Sequence, residues 1–308
     1  MRFRCATPRA STVRRRPGTV NRQENPRATP KIPVRDTVDT RFERLSDEIL
    51  MAAFDFYPTW AARLGLHAYD GRLGSFNLSA LDARLRTIRE HERALREFPS
   101  DGLSPRQRVD RELLLTFLER ERFDLEDLRS FQRNPLAYAD ALDVTLYVKR
   151  EYAPLEQRAA ALTEHLRQLP AFLAQARRNL EPHCPRPFVT TALEMFTGGL
   201  DFLRDELPTA VRDVSPPVRA RLEDAWNAAV EAVAAFVGFL QDELLTRASD
   251  EFALGPDLYR RMLWAGERID VDLESLRRRA EEELGLSLIH ISEPTRLLSI
   301  SYAVFCLK

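Results

Sequence analysis

Cysteine, glycine and uninterrupted apolar runs are scarce in this chain, and each scarcity removes a class of function. Three cysteines stand in 308 residues, at Cys5, Cys184 and Cys306. Only Cys184 falls in the central body, so no intrachain disulfide framework and no Cys-rich zinc site can form there. Eleven glycines leave little material for phosphate-cradling loops, and no dinucleotide fingerprint or Gly-x-Ser-x-Gly elbow occurs. No apolar run reaches the ~18 residues that suggest a bilayer-spanning helix, so no membrane partner is expected. Strand signals are missing as well, with no alternating apolar run and no hairpin pattern.

The charge is unevenly spread. The first 40 residues hold ten Lys/Arg, three acids (Glu24, Asp36, Asp39) and five prolines, without an apolar period. Such a segment cannot bury enough surface to offset chain entropy. It reads as a disordered basic tail or a start codon placed too far upstream, with a transit peptide or a nucleic-acid-binding arm as alternatives. No apolar stretch follows Arg14-Arg15-Arg16, which argues against a secretory signal, and a cytoplasmic location is favoured. The body, 41–285, carries 34 Lys/Arg against 43 Asp/Glu, a net of −9. A body of that sign argues against a nucleic-acid partner. Its length suits one large helical domain.

Within the body, apolar residues recur at helical spacing nearly everywhere. Leu155, Ala159, Leu162, Leu166, Leu169, Leu173, Ala176 and Leu180 form one stripe, with Pro170 expected to kink or restart the helix. Val218, Leu222, Trp226, Ala229, Val233, Phe236, Leu240 and Leu244 form another, entered through Ser215 and Pro216-Pro217. Ser104-Pro105-Arg106-Gln107 is a capping-box spacing and opens a helix expected to turn Val109, Leu113 and Phe117 inward. Ser79 is expected to cap a helix carrying Leu81, Leu85, Ile88 and Leu95. A further helix spans about Arg41 to Phe56, and Pro58 separates it from a short piece ending at Gly65. Phe188 to Leu207 is another, with Gly198-Gly199 as a weak or closely packed point. The connections are short, so neighbours run antiparallel or cross steeply. The fold class is all-α, a multi-helix antiparallel or orthogonal array.

The last 23 residues do not read like the body. Leu286-Ser287-Leu288-Ile289-His290-Ile291-Ser292-Glu293-Pro294-Thr295-Arg296 is similar to a transposase-type sequencing-library adapter translated in one frame, and Ile300 to Lys308 is similar to its flow-cell end. On this reading 286–308 is an artefact to set aside, and the natural sequence beyond Gly285 is absent.

One family resemblance emerges from the body. Phe42-Glu43-Arg44-Leu45 is followed by Tyr57-Pro58-Thr59-Trp60-Ala61-Ala62-Arg63-Leu64-Gly65-Leu66-His67-Ala68-Tyr69-Asp70 and by Arg133-Asn134-Pro135-Leu136-Ala137-Tyr138. Pro154 to Ala159, Leu169-Pro170-Ala171-Phe172-Leu173, Asn179-Leu180 and Phe252-Ala253-Leu254-Gly255 continue the order. Over about 41–265 the chain resembles the N-terminal part of the bacterial DUF885 family. The resemblance implies an all-α fold related to gluzincin-type zinc metallopeptidases. It also implies a His-Glu-x-x-Pro-Gly-His-like motif in the C-terminal half, where zinc would lower the pKa of a bound water. The implied partners are that missing half and, for the parent, a peptide substrate. The chain in hand is then an incomplete part of a larger hydrolase fold. A helical scaffold without chemistry is the alternative.

No residue of this chain is assigned a catalytic, cofactor-binding or metal-ligating role, and zinc is expected only in the full-length parent. The lone His91-Glu92 pair has no second histidine three to six residues on, and an exposed helix position is expected for it. His165 flanks the first stripe and is expected to face solvent. His183-Cys184 sits between prolines in a connector and lacks the ligands to close a metal site. His67 is expected to hold a helix junction by hydrogen bonding, or else to line the parent's substrate cleft. Arg133-Asn134-Pro135 reads as a turn, with recognition of a peptide carboxylate as the alternative. Phe54, Phe56, Tyr57 and Trp60 read as core rather than a substrate subsite. Arg277-Arg278-Arg279 and Glu281-Glu282-Glu283 read as a solvated helix face.

Overall fold

The computed structural model describes residues 37–287, so most of the basic segment 1–40 and of the string 286–308 lies outside them; 38–40 open the first helix, where a disordered tail was expected, and 286–287 continue the last one. Helices follow one another as α1 (Val38–Phe56), α2 (Pro58–Arg63), α3 (Leu78–Glu97) and α4 (Pro105–Phe123), which passes into a π turn at Asp124–Leu128. Short pieces α5 (Ser130–Arg133), a 3-10 helix (Pro135–Leu142) and α6 (Thr145–Lys149) lead to the long α7 (Leu155–Asn179). Then come α8 (Arg186–Asp201) with a π turn at Phe202–Glu206, α9 (Leu207–Ala210), and α10 (Pro216–Gly238) with a π turn at Phe239–Leu244. α11 (Leu245–Arg247) and α12 (Pro256–Glu267) follow, and 273–287 is helical. Among the described residues the sole β feature is an isolated bridge between Pro185 and Ser249.

The two expected stripes meet each other. α7 and α10 form the most extensive helix pair, burying Leu162, Leu166, Leu169 and Leu173 against Ala229, Val233 and Phe236. The second stripe persists through the π turn because its last steps, Phe236 to Leu240 to Leu244, are both four residues, which suits a wider turn. α7 runs unbroken through Pro170, so the expected restart does not occur. One lost donor is tolerated where flanking leucines are buried on both sides of it. Gly199 packs closely, as a Cβ there would sit 2.7 Å from Leu142 Cδ1, whereas Gly198 faces open space.

Capping follows the sequence at α4, where Ser104 and Gln107 make the reciprocal box. At α3 it does not. Asn77 is the cap, accepting from Ala80 N at 2.8 Å, so Ser79 falls inside the first turn. Ser215 occupies the expected cap position, but its hydroxyl and amide both turn to the Glu156 carboxylate at 3.0 and 2.7 Å.

Three expectations of exposure are corrected. His91 and Glu92 are buried, because α3 packs on both α1 and α4 and its buried face is wide; both lie one turn beyond Ile88. Glu92 accepts from Arg122 Nε at 3.0 Å and Arg96 Nη1 at 3.4 Å. His165 is buried at 1% exposure, one turn from Leu162 on a helix covered from two sides. Its Nε2 donates to the Ala141 carbonyl at 2.8 Å, which leaves Nδ1 to accept from the Tyr147 hydroxyl at 3.4 Å. That hydroxyl in turn accepts from Gly71 N at 2.9 Å. Val109 and Leu113, expected inside, are 59% and 62% exposed. The core face of α4 is instead Leu114, Leu115, Leu118 and Glu121.

Charge is buried where α3 meets α4. Arg84 Nε and Nη2 donate to Glu121 Oε1 and Oε2 at 2.7 and 2.6 Å, with both side chains under a tenth exposed. The guanidinium also lies over the Phe56 ring, 5.6 Å from its centre, and its Nη1 has no hydrogen-bond partner. Removing one member strands the other in a low-dielectric interior. Arg84→Met is therefore expected to destabilise the chain by about 3–5 kcal/mol, read as a drop in Tm of roughly 10 °C. Arg84→Met with Glu121→Leu should recover most of that loss in the same melt.

Burial lowers the His165 pKa to about 4, outweighing the Ala141 hydrogen bond that favours the charged ring. Below the unfolded-state value near 6.5 the unfolded chain binds a proton that the folded chain refuses. Stability therefore falls as pH drops from about 6.5 to about 4, by roughly 3 kcal/mol from this group. His91, lowered chiefly by burial, acts in the same sense. Urea melts at pH 7 and pH 4.5 are expected to show the loss, and His165→Gln should shrink it.

Candidate functional site

α12 lies along α4 and buries a single residue, Ala265. Ion pairs hold its middle and its C-terminal end: Arg261 Nη2 donates to both oxygens of Asp127 at 2.7 Å, and Arg268 pairs with Glu119 and donates to Thr116 Oγ1 at 2.9 Å. A helix tied by ion pairs over a charged partner leaves space along its flanks. One flank opens a cleft of about 620 Å³ lined by Glu119, Arg122, Asp127, Arg260, Trp264 and Ile269, among others. The other opens a cleft of about 830 Å³ between Trp60, Phe117, Phe123 and Leu128 on one side and Met262, Leu263 and Gly266 on the other.

The larger cleft has the makings of a binding site, an apolar hollow with a few convergent polar groups. Trp60 stacks on Phe117 with ring centres 5.9 Å apart. Arg120, Glu121, Asp124 and Glu267 supply charge at its lining. Glu121 is already neutralised by Arg84. Asp124 begins the π turn, a geometry frequent at functional sites, and takes only the Ser130 hydroxyl at 2.6 Å. Burial and the nearby Glu121 raise the Asp124 pKa against the Ser130 bond. Burial, then Glu121 and Asp124, hold the Tyr57 hydroxyl well above its ordinary value. None of Arg120, Glu121 and Asp124 was singled out in the sequence. Glu121 carried a readable signal, lying three residues after Leu118 and seven after Leu114 on the buried face; Asp124 and Arg120 carried none.

The histidines weighed in the sequence lie elsewhere. His67 begins a 3-10 turn (His67–Tyr69), donates from Nδ1 to the Asp70 carboxylate at 3.2 Å, and stacks on Tyr152 with ring centres 3.8 Å apart. That is the helix-junction role. His183 Nδ1 donates to the Arg247 carbonyl at 3.0 Å, while Cys184 is buried beneath, its thiol held up near 11 by burial. Asn134 caps the 3-10 helix through Leu136 N at 3.0 Å, so Arg133-Asn134-Pro135 is the expected turn. Phe54 is fully in the core, while Phe56, Tyr57 and Trp60 are half-buried against it. Arg277 to Glu283 is exposed. Among the described residues no three His, Cys, Asp or Glu side chains converge as a metal site, and no helix is long and apolar enough to cross a membrane.

Comparison with known proteins places this fold. No curated protein matches the chain. Three solved chains do, among them a candidate lipoprotein of unknown function from Shewanella oneidensis. It superposes with a TM-score of 0.70 at 21% identity, covering 79% of this chain and 45% of that one. At that identity the likeness is one of fold, and this chain spans less than half the length of its neighbour. Residues 58–286 match the family described as bacterial proteins of unknown function, DUF885. That span is most of the chain, and the chain belongs to the DUF885 family.

Proposed function

We propose that this chain is the N-terminal helical portion of a zinc peptidase-like hydrolase, with the hydrolytic centre in a half that lies beyond it. The observation that carries the reading is an uncovered helix face. Val109, Leu113, Thr116, Phe117 and Arg120 share one side of α4 by helical spacing. α12 reaches from Asp127 only to Thr116, leaving Val109 and Leu113 bare. In the last helical stretch, residues 277–285 are exposed, Leu284 at 61%. Exposed apolar area of this kind commonly marks a missing partner. The 45% coverage of the Shewanella neighbour supports a partner in the same polypeptide.

The described residues do not fit a zinc ion. Both nitrogens of His165 are engaged, His67 and His183 are each bonded through Nδ1, and His91 sits buried under α1 facing Glu48 at 3.8 Å. We therefore derive no hydrolytic step on this chain, and the reading assigns zinc and peptide cleavage to the complete parent. Cytoplasmic residence stands as the sequence reading, and the neighbour's description as a candidate lipoprotein favours the cell envelope. Fractionation of a tagged full-length parent decides between them.

The purified 308-residue chain is expected to bind a hydrophobic dye and to show no zinc-dependent peptidase activity. Adding the C-terminal half of a longer family member should quench the dye signal. A compact monomer that melts cooperatively without dye binding would instead favour the scaffold reading. Genomic sequence past codon 285 offers a second check: an in-frame His-Glu-x-x-Pro-Gly-His-like motif is expected, and an immediate stop codon would sink the proposal.

A further inference from the structure

We infer that the larger cleft beside α12 is a binding site for a small apolar amine, an aromatic or branched side chain bearing a primary ammonium. The apolar part fits the walls: Trp60 and Phe117 present stacked rings, and Leu263 closes the far side. Gly266 lines the cleft without a side chain, and a Cβ built there meets nothing within 4 Å. The volume of about 830 Å³ lies in the range of small-molecule pockets.

The ammonium part follows from charge. Asp124 takes no cation among the described residues, and its one polar partner is a neutral hydroxyl. Glu267, on the opposite wall, takes none either. Glu121, although acidic, is spent on Arg84. Arg120 is the sole cation at the lining; it is exposed, forms no ion pair with either acid, and its field offsets only part of the burial of Asp124. An entering ammonium would give Asp124 the counter-charge that it lacks, in a pocket where water is partly excluded and such a contact is strong. The upward shift of the Asp124 pKa, caused first by burial and then by Glu121 against the Ser130 bond and the more distant Arg120, agrees with a carboxylate that no ion pair offsets. This site does not depend on the hydrolase reading. If that reading holds, the same chemistry describes the free N-terminus of a peptide with an apolar first residue.

The test is calorimetric titration of the full chain with 2-phenylethylamine, its neutral analogue 2-phenylethanol, and the anion 3-phenylpropionate. The amine is expected to bind about tenfold tighter than the alcohol, as a charged hydrogen bond would give, and the anion weakest. Asp124→Asn keeps the Ser130 acceptor and should erase the amine preference while preserving alcohol binding. Gly266→Leu fills the mouth from a position without neighbours and should abolish binding of both, with an unchanged melt showing that the fold is intact. Equal affinity for amine and alcohol, a preference that survives Asp124→Asn, tightest binding of the anion, or no saturable binding at all would each overturn the site. None of these outcomes bears on the dye-quenching test of the missing half.

Discussion

The closure of α7 on α10 is the contact from which the rest of the structure hangs. Both helices carry an unbroken apolar stripe, and the two bury these against each other in the main core cluster. Once they are paired, the short segments between α4 and α7 have only one side on which to lie. The 3-10 helix packs against α8, with Leu142 pressed onto Gly199. The Gly65–Gly71 loop is tied down through Tyr147 and, behind it, His165.

The opposite end of the molecule is built on a different balance. α3, α4 and α12 are joined largely by arginine–carboxylate contacts: Arg84 with Glu121, Arg122 with Glu92, Arg96 and Arg268 with Glu119, Arg261 with Asp127. The first is buried and specifies the pairing more than it stabilises it. The outer ones set arginines 30–57% exposed on carboxylates 5–17% exposed, so solvent screens them in part. An end held this way tolerates open space under α12, which an apolar interface at native packing density would not. The clefts therefore arise at the charged end and not in the leucine core.

The sequence carried the elements more faithfully than the environments. The two stripes, the Ser104 box and the Asn134 turn could be read because each depends on local spacing or on one side chain meeting its own backbone. His91, Glu92 and His165 could not be placed by residue type, because a polar side chain at the edge of a stripe is buried or exposed according to whether a second helix covers that edge. Val109 and Leu113 erred the other way: their spacing is that of a core stripe, but nothing among the described residues covers them. The cleft acids were hidden for the same reason, since Asp124 becomes a lining residue only when α12, more than a hundred residues later, lies down beside it.

By itself the sequence determined an all-α chain of amphipathic helices, an acidic body distinct from a basic start, and likeness to a bacterial family. The first two follow from composition and from the 3.6-residue period, which every helix writes locally; the likeness rests on the order of short motifs along the body. Tertiary structure alone decided which polar groups are buried, which apolar face is left open, and where a cleft forms. Those properties belong to pairs of helices far apart in the chain, and one helix's sequence holds no record of the other's position.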